Sequence, residues 1–454
     1  MNILKKALTY TNALINDLRL FLDNNVSLTA WFIAIPYVVA GVVSGIAVVI
    51  YSKLFLHIED ISFEIYSISP FLFLIASPLF FYVGWLFIRY ASKAATGSGI
   101  PQIMAAIKVL EENPSTRIKH LLSFKIIVMK VLSSSIALFG GAAIGREGPS
   151  LPVSASIYMI VHRFTPKSWP TVNRQKMVLA GAAAGLAAAF NTPLGGIVFA
   201  IEELSKSSIH SFRSSLLLSV ILAGMTTQTL AGPYLYLGYP EVGKIELRYY
   251  LIIILVATVT GLAGALQSKI ILWFNAQKKT FTREWEHHVF VIASGLALAI
   301  IILAIGKDAV GSGKTQMQTL LFTNSPDMDW TMFPARFLSS IVSFSSGIAG
   351  GIFAPALATG ASVGALVSHS IGFDANNKII ILCGMIGFLT GVTRSPFTSA
   401  VLVLEMTDRH SAIFPMMVAG IVANLAAALV MKKSLYDYLM FNYLSVPDKK
   451  SVEE

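Results

Sequence analysis

The stretch Gly145–Pro149, GREGP, places an arginine and a glutamate side by side between glycines and closes them with a proline, deep in apolar sequence. Glycines let a chain turn sharply, and a proline fits the first turn of the helix that follows. Such a break exposes the N-terminus of a helix, whose free N–H groups and roughly half a unit of positive partial charge attract an anion. Two further stretches share the design, GSGIP at Gly97–Pro101 and GIFAP at Gly351–Pro355. A fourth place, SLYDYL at Ser434–Leu439, starts a short helix after Lys432 and Lys433. Helix ends supply partial charge, whereas a lysine would hold the anion too tightly; several partial charges make a site that an ion can enter and leave.

The elements that must position these breaks lie in lipid. Of 454 residues, 55% are hydrophobic and only 13% charged, too few charges for the surface of a soluble chain of this length. A membrane-spanning helix needs about 20 mostly apolar residues. Trp31–Leu54, Phe71–Phe87, Ile126–Ala142, Leu216–Ala231, Tyr250–Leu266, Val289–Ala304 and Ile413–Met431 qualify, and strand-like alternation is absent. The fold class is an all-α polytopic membrane protein. The net charge of +10 gathers in hydrophilic connections (Lys5–Lys6, His162–Lys176, Lys206–Arg213, Lys278–Arg283, Lys432–Lys433). Positive-inside bias accounts for this without nucleic acid and sets both termini in the cytoplasm, hence an inner or plasma membrane. Residues 1–26 place Leu4, Leu8, Ile15, Leu18 and Leu22 on one stripe, which predicts an amphipathic helix on the membrane surface rather than a signal peptide.

Backbone broken at membrane depth must face protein or a wet cavity. The breaks also recur. With an offset of 206, Gly141, Gly145, Pro149 and Leu151 fall on Gly347, Gly351, Pro355 and Leu357. With an offset of 203, Gly181, Leu186, Pro193 and Glu202 fall on Gly384, Leu389, Pro396 and Glu405. The chain therefore reads as two related halves, 27–232 and 247–444, joined by a linker at 233–246 and followed by a tail at 445–454. Broken helices at corresponding places in two halves point to a transport site near the bilayer midplane. Sequence identity alone leaves the repeat parallel or inverted.

GSGIP, GREGP and GIFAP, in this order and spacing and followed by a tyrosine near the end, resemble the CLC family of chloride channels and chloride/proton antiporters. The resemblance runs from about Trp31 to Leu444. It implies inverted-topology repeats whose broken helices meet at a midplane anion site, and a homodimer with one pore per subunit. It implies a chloride held by the hydroxyls of Ser98 and Tyr436 and by the backbone N–H groups of Ile352 and Phe353. It makes Glu147 the gating and outer proton glutamate, whose carboxylate competes with chloride for the anion position. It makes Glu203, in FAIEEL, the inner proton glutamate. An acid at Glu203 favours secondary active exchange of chloride for protons over the alternative, a passive chloride-selective channel. One departure stands out: bacterial relatives often read GSGIPEIE, and here Gln102 and Met104 replace both acids.

The remaining candidates are structural. Lys130, inside an apolar helix, reads as a buried structural charge, and Glu202, matched by Glu405, as a structural position in both halves. Arg146 serves the electrostatics or packing of the outer entrance. The lone Cys383 forms no intramolecular disulfide. VGSGKT at Val310–Thr315 lacks the first glycine of a phosphate loop, EWEHH at Glu284–His288 points its ligand types apart, and HIED at His57–Asp60 reads as the polar exit of a helix. No histidine lies near the breaks to serve Ser150 as a base, so neither an enzyme nor a metal or cofactor site is expected. The expected partners are chloride, protons and the lipid bilayer.

Overall fold

The computed structural model describes residues 26–113, 118–205, 214–232, 235–242, 247–323, 329–370 and 378–444. The expected surface helix at 1–26 and the tail at 445–454 lie outside the described residues, apart from Val26, which opens the first helix. Among the described residues the chain forms seventeen α-helices. The first eight are α1 (Val26–Ile68), α2 (Phe73–Leu86), α3 (Ile100–Glu112), α4 (Phe124–Phe139), α5 (Glu147–Phe164), α6 (Arg174–Phe190), α7 (Pro193–Phe199) and α8 (Ser214–Ala231). Eight more follow in the same order: α9 (Leu247–Lys279), α10 (Glu284–Ile305), α11 (Lys314–Phe322), α12 (Met332–Ser345), α13 (Phe353–Ser370), α14 (Lys378–Thr393), α15 (Pro396–Thr407) and α16 (Ile413–Ala428). A last helix, α17 (Leu435–Leu444), closes the series.

Six helical stretches among the described residues are long and apolar enough to cross a membrane. They contain five of the seven expected spans in full and a sixth, Ile413–Met431, as far as Ala428. The exception is Ile126–Ala142, which falls on the 16-residue α4, ending at Phe139 with Gly140 as its C-cap. At 1.5 Å per residue it is roughly 24 Å long, short of the ~30 Å hydrocarbon core. By contrast α1 has 43 residues and one internal proline, Pro36, so it is far longer than the bilayer is thick and must tilt or extend beyond it. The two helices that follow the central breaks, α5 and α13, are buried along most of their length, and α14 is buried at every residue. These helices are apolar because protein surrounds them; the six long stretches, no more than 44% buried over their most apolar windows, are apolar because lipid does.

The fold consists of two inverted-topology repeats, and the backbone reproduces the repeat more faithfully than the side chains do. Left-handed φ values recur at matched places: +97° at Gly99 and +88° at Gly313, +76° at Gly141 and +97° at Gly347, +58° at Asn191 and +61° at Arg394. The Gly311–Ser312–Gly313 turn, which superficially resembled a phosphate loop, is thus the repeat image of Gly97–Ser98–Gly99. Each turn is held by a buried cation on a matched helix. Lys130 of α4 donates to the carbonyls of Thr96 (3.0 Å) and Gly97 (2.8 Å), and Arg336 of α12 donates to those of Gly311 (2.8 Å) and Val310 (3.0 Å). Lys130 is therefore a structural charge whose role is to hold the first break open.

Glu59 corrects one expectation. HIED is no polar exit, because α1 continues to Ile68 and Glu59 is buried, accepting the N–H of Ser312 at 2.5 Å. The sequence misled because its acceptor role depends on a turn 253 residues away. The second turn is thus fixed from both sides, by Glu59 and Arg336. Replacing Arg336 by Met strands two buried carbonyls, each costing about 1–3 kcal/mol when left unpaired. The expected result is a folded but clearly less heat-stable protein in a detergent thermal melt.

The halves also cap one another. Glu405 accepts from the N–H groups of Leu194 (3.1 Å) and Gly195 (2.8 Å) at the start of α7. Reciprocally, Glu202 accepts from those of Phe397 (3.2 Å) and Thr398 (2.6 Å) at the start of α15. At the centre, Gly145 N–H donates to the Gly351 carbonyl (2.8 Å) and Gly351 N–H to the Gly145 carbonyl (2.7 Å). A parallel bridge pairs Gly97 with Ala349 beside them.

Candidate functional site

These backbone pairs bring three breaks to one point: Gly97–Gly99 before α3, Gly145–Arg146 before α5, and Gly351–Ile352 before α13. All of Gly97–Pro101, Gly145–Pro149 and Gly351–Pro355 is buried apart from Gly97, which is partly exposed. The approach is close because the residues have no side chains. A Cβ on Gly148 would stand 2.4 Å from Ser98 Oγ and 2.8 Å from Gly351 Cα, and one on Gly351 would stand 2.8 Å from Gly148 N. Any larger residue would push the helix ends apart.

Ser98 sits in the first break, 1% exposed, and Tyr436 begins α17, fully buried. Tyr436 is a neighbour of Ser98, and its ring stacks on that of Phe353 at 6.3 Å. Apart from each other, neither the Ser98 hydroxyl nor the Tyr436 hydroxyl has a hydrogen-bond partner among the described residues. Two buried, otherwise unpartnered hydroxyls in one place are costly unless something accepts from them. Ile352 and Phe353 lie at the N-terminal end of α13, where backbone N–H groups have no carbonyl one turn earlier. Phe190 and Phe199 pack their rings against that of Phe353 at 6.2 and 5.9 Å, making an apolar wall around these donors. The four residues expected to hold an anion are therefore together, and all four are hydrogen-bond donors.

Glu147 is the first residue of α5 and is 1% exposed. Its carboxylate turns back over its own loop: Oε2 would lie 2.1 Å from a Cβ on Gly145, and it has no partner among the described residues. Oε1 accepts from the hydroxyl of Tyr236 at 3.3 Å. Arg146 donates to the carbonyls of Ser52 (3.2 Å) and Ala189 (3.4 Å), so its charge is fixed in the wall beside Glu147.

Glu203 lies apart from this group, in the π-helical turn Ala200–Leu204 that ends α7. Wider turns of this kind are frequent at functional positions. It is 2% exposed and accepts from Ser395 Oγ at 2.7 Å, with Ser434 Oγ 3.1 Å from its other oxygen. The cations that follow it in sequence, Lys206 and Arg213, lie outside the described residues. Gln102, where an acid was noted as missing, donates to the Leu121 carbonyl at 2.5 Å, and Met104 is buried. Among the described residues no cluster of metal-ligating side chains occurs.

Tyr236 is the residue that sequence reading missed. It belongs to the connection between the halves, carries no motif, and gains its place only when that connection folds back over the α5 break. Its ring packs edge-on against Phe190 and lies under two cations, Lys314 at 5.2 Å and Arg146 at 5.8 Å. Tyr236→Phe keeps the ring and removes only the donor to Glu147. Losing one such bond is worth about 0.5–1.5 kcal/mol, so anion flux at alkaline external pH is expected to rise roughly 2- to 10-fold as the carboxylate is held less firmly. Flux through reconstituted vesicles at several external pH values measures this.

Comparison with known proteins agrees with this architecture. Residues 79–428 match the family described as voltage gated chloride channel. A chain named H(+)/Cl(-) exchange transporter ClcA from Yersinia pseudotuberculosis serotype IB (strain PB1/+) is 30% identical over 443 residues, covering 92% of this chain and 89% of that one. A protein of the same name from Yersinia pestis bv. Antiqua (strain Angola) is 31% identical over 389 residues, 82% of this chain and 78% of that one. Among solved structures, a slow cyanobacterial Cl-/H+ antiporter superposes with a TM-score of 0.76 at 20% identity, over 92% of this chain and 99% of that one. A CLC-type fluoride/proton antiporter gives 0.75 at 19% identity, over 91% and 98%. The protein described here belongs to the voltage-gated chloride channel family, the CLC proteins.

Proposed function

We propose that this protein exchanges chloride for protons across the membrane, without covalent chemistry or a cofactor. The observation that carries the reading is the meeting of the Ser98 and Tyr436 hydroxyls with the N-terminus of α13, next to the carboxylate of Glu147. Chloride and the Glu147 carboxylate are both anions suited to the same donors, so only one occupies them at a time. Protonation removes the carboxylate's charge and with it the competition. Glu203 returns the proton on the inner side. Relatives named as exchange transporters support exchange over passive conduction, as does the acid at Glu203.

In this reading residues 27–232 and 247–444 are the two repeats, 1–26 lies on the membrane surface, and both termini face the cytoplasm from an inner membrane. Two copies associate through α8 and α16, whose exposed faces carry Leu218, Ile221 and Met225, and Phe414, Ile421 and Leu425. The purified protein in liposomes provides the test. With a chloride gradient imposed, an exchanger moves protons against their own gradient, and its reversal potential responds to pH. A reversal potential set by chloride alone makes it a channel.

A further inference from the structure

The acid that bacterial relatives often carry at position 104 is a methionine here, which leaves open how a proton reaches Glu203. We propose that Asp437 is the inner proton donor and acceptor, and that it exchanges its proton with Glu203 through the Ser434 hydroxyl. This rests on Glu203 being the inner proton glutamate. Ser434 Oγ lies 3.0 Å from Asp437 Oδ2 and 3.1 Å from Glu203 Oε1, so one hydroxyl touches two carboxyl groups.

A helix cap explains part of this arrangement. Ser434 Oγ accepts from Asp437 N–H (3.0 Å), and Asp437 Oδ2 accepts from Ser434 N–H (3.1 Å), as in a capping box at the start of α17. The cap does not require Glu203. A hydroxyl has a single proton to donate and cannot satisfy two carboxylates at once. Both contacts are hydrogen bonds only when one carboxyl carries a proton and donates to the serine oxygen. The transfer then balances: the Asp437 proton passes to Ser434 Oγ as the Ser434 proton passes to Glu203 Oε1. Asp437 is left ionised, Glu203 neutral and the serine unchanged; the reverse shift runs the same bonds backwards.

The surroundings give this relay an outlet. A cavity of about 450 Å³ is lined by Met104, Lys108, Glu111, Glu112, Glu203 and Asp437 among others, ample room for several waters. Glu111 and Glu112 are exposed, Asp437 is half-buried and Glu203 is buried, so the acids step inward from water. Lys108 of α3 lines the same cavity, and the exposed Lys432 and Lys433 come just before α17 in the chain. Met104 lines this cavity where an acid would otherwise stand, and Asp437 lines it as well.

Proton and chloride fluxes through the full-length protein in liposomes, read together by a pH electrode and a chloride electrode, test the relay. Asp437→Asn keeps a capping side chain but cannot carry a proton, and it should lower the proton-to-chloride ratio at least five-fold. Asp437→Glu should retain the ratio. Met104→Glu added to Asp437→Asn should restore at least half of it, which repair of a helix cap would not do. Asp437→Ser, a second non-titrating cap, guards against a folding defect peculiar to the asparagine variant. An unchanged ratio in both variants would overturn the proposal, as would a loss that neither glutamate rescues. The Glu203→Gln control separates the two readings. If it leaves the ratio unchanged, the inner-glutamate assignment fails and the relay with it; a ratio lost there but kept in Asp437→Asn rejects the relay alone.

Discussion

Replacing Glu147 by alanine is expected to end proton transport while chloride continues to flow. The carboxylate lies at the break beside the Ser98, Tyr436 and α13 donors, and its Oε2 has no partner among the described residues. In the proposed cycle, lowering external pH is expected to protonate Glu147 and speed exchange in the wild type. In the alanine variant nothing competes with the anion, so chloride flux persists and loses this dependence on external pH. Glu147→Gln mimics the protonated state permanently and should behave alike. A pH electrode in lightly buffered liposome suspension reads the result directly. Proton pumping driven by a chloride gradient through the alanine variant removes Glu147 from the proton path.

Glu203→Gln has an effect of similar size with a different signature. The carboxamide oxygen can still accept from one of Ser395 and Ser434 while its NH2 donates to the other hydroxyl, so the π-helical turn should keep its shape. Proton transport should fall to background, while chloride flux persists and keeps its response to external pH, because Glu147 is intact. The two variants thus separate by one measurement, chloride flux against external pH: flat in Glu147→Ala, sloped in Glu203→Gln. Coupling that survives in Glu203→Gln directs the search to a different inner acid.

Much of this was legible in the sequence because it is local. A glycine turn followed by proline encodes a helix start wherever the chain places it, and three of them converge here. The repeat was legible for the same reason, through matched glycines and prolines. The partnership of Gly97–Gly99 with Gly311–Gly313 was missed because its offset differs from that of the other matches and the second turn lacks the proline. Glu59, Arg336 and Tyr236 were illegible in kind. Each acts on a turn or a side chain brought near only by folding, and nothing adjacent in sequence marks it. Glu202 and Glu405 fall between these cases: pairing in the repeat flagged them as structural, but that each caps the opposite half emerges only in three dimensions.

The mutual bonds of Gly145 and Gly351, with the crossed caps of Glu202 and Glu405, bear on how such a protein is made safely. Neither half contains a finished conduit. A nascent chain stalled after α8 has the α5 break but not the α13 end or Tyr436, and its α7 amides wait for an acid not yet synthesised. A ribosome can therefore deliver the first half into an energised membrane without opening a leak, and ions cross only once translation has reached the final helix.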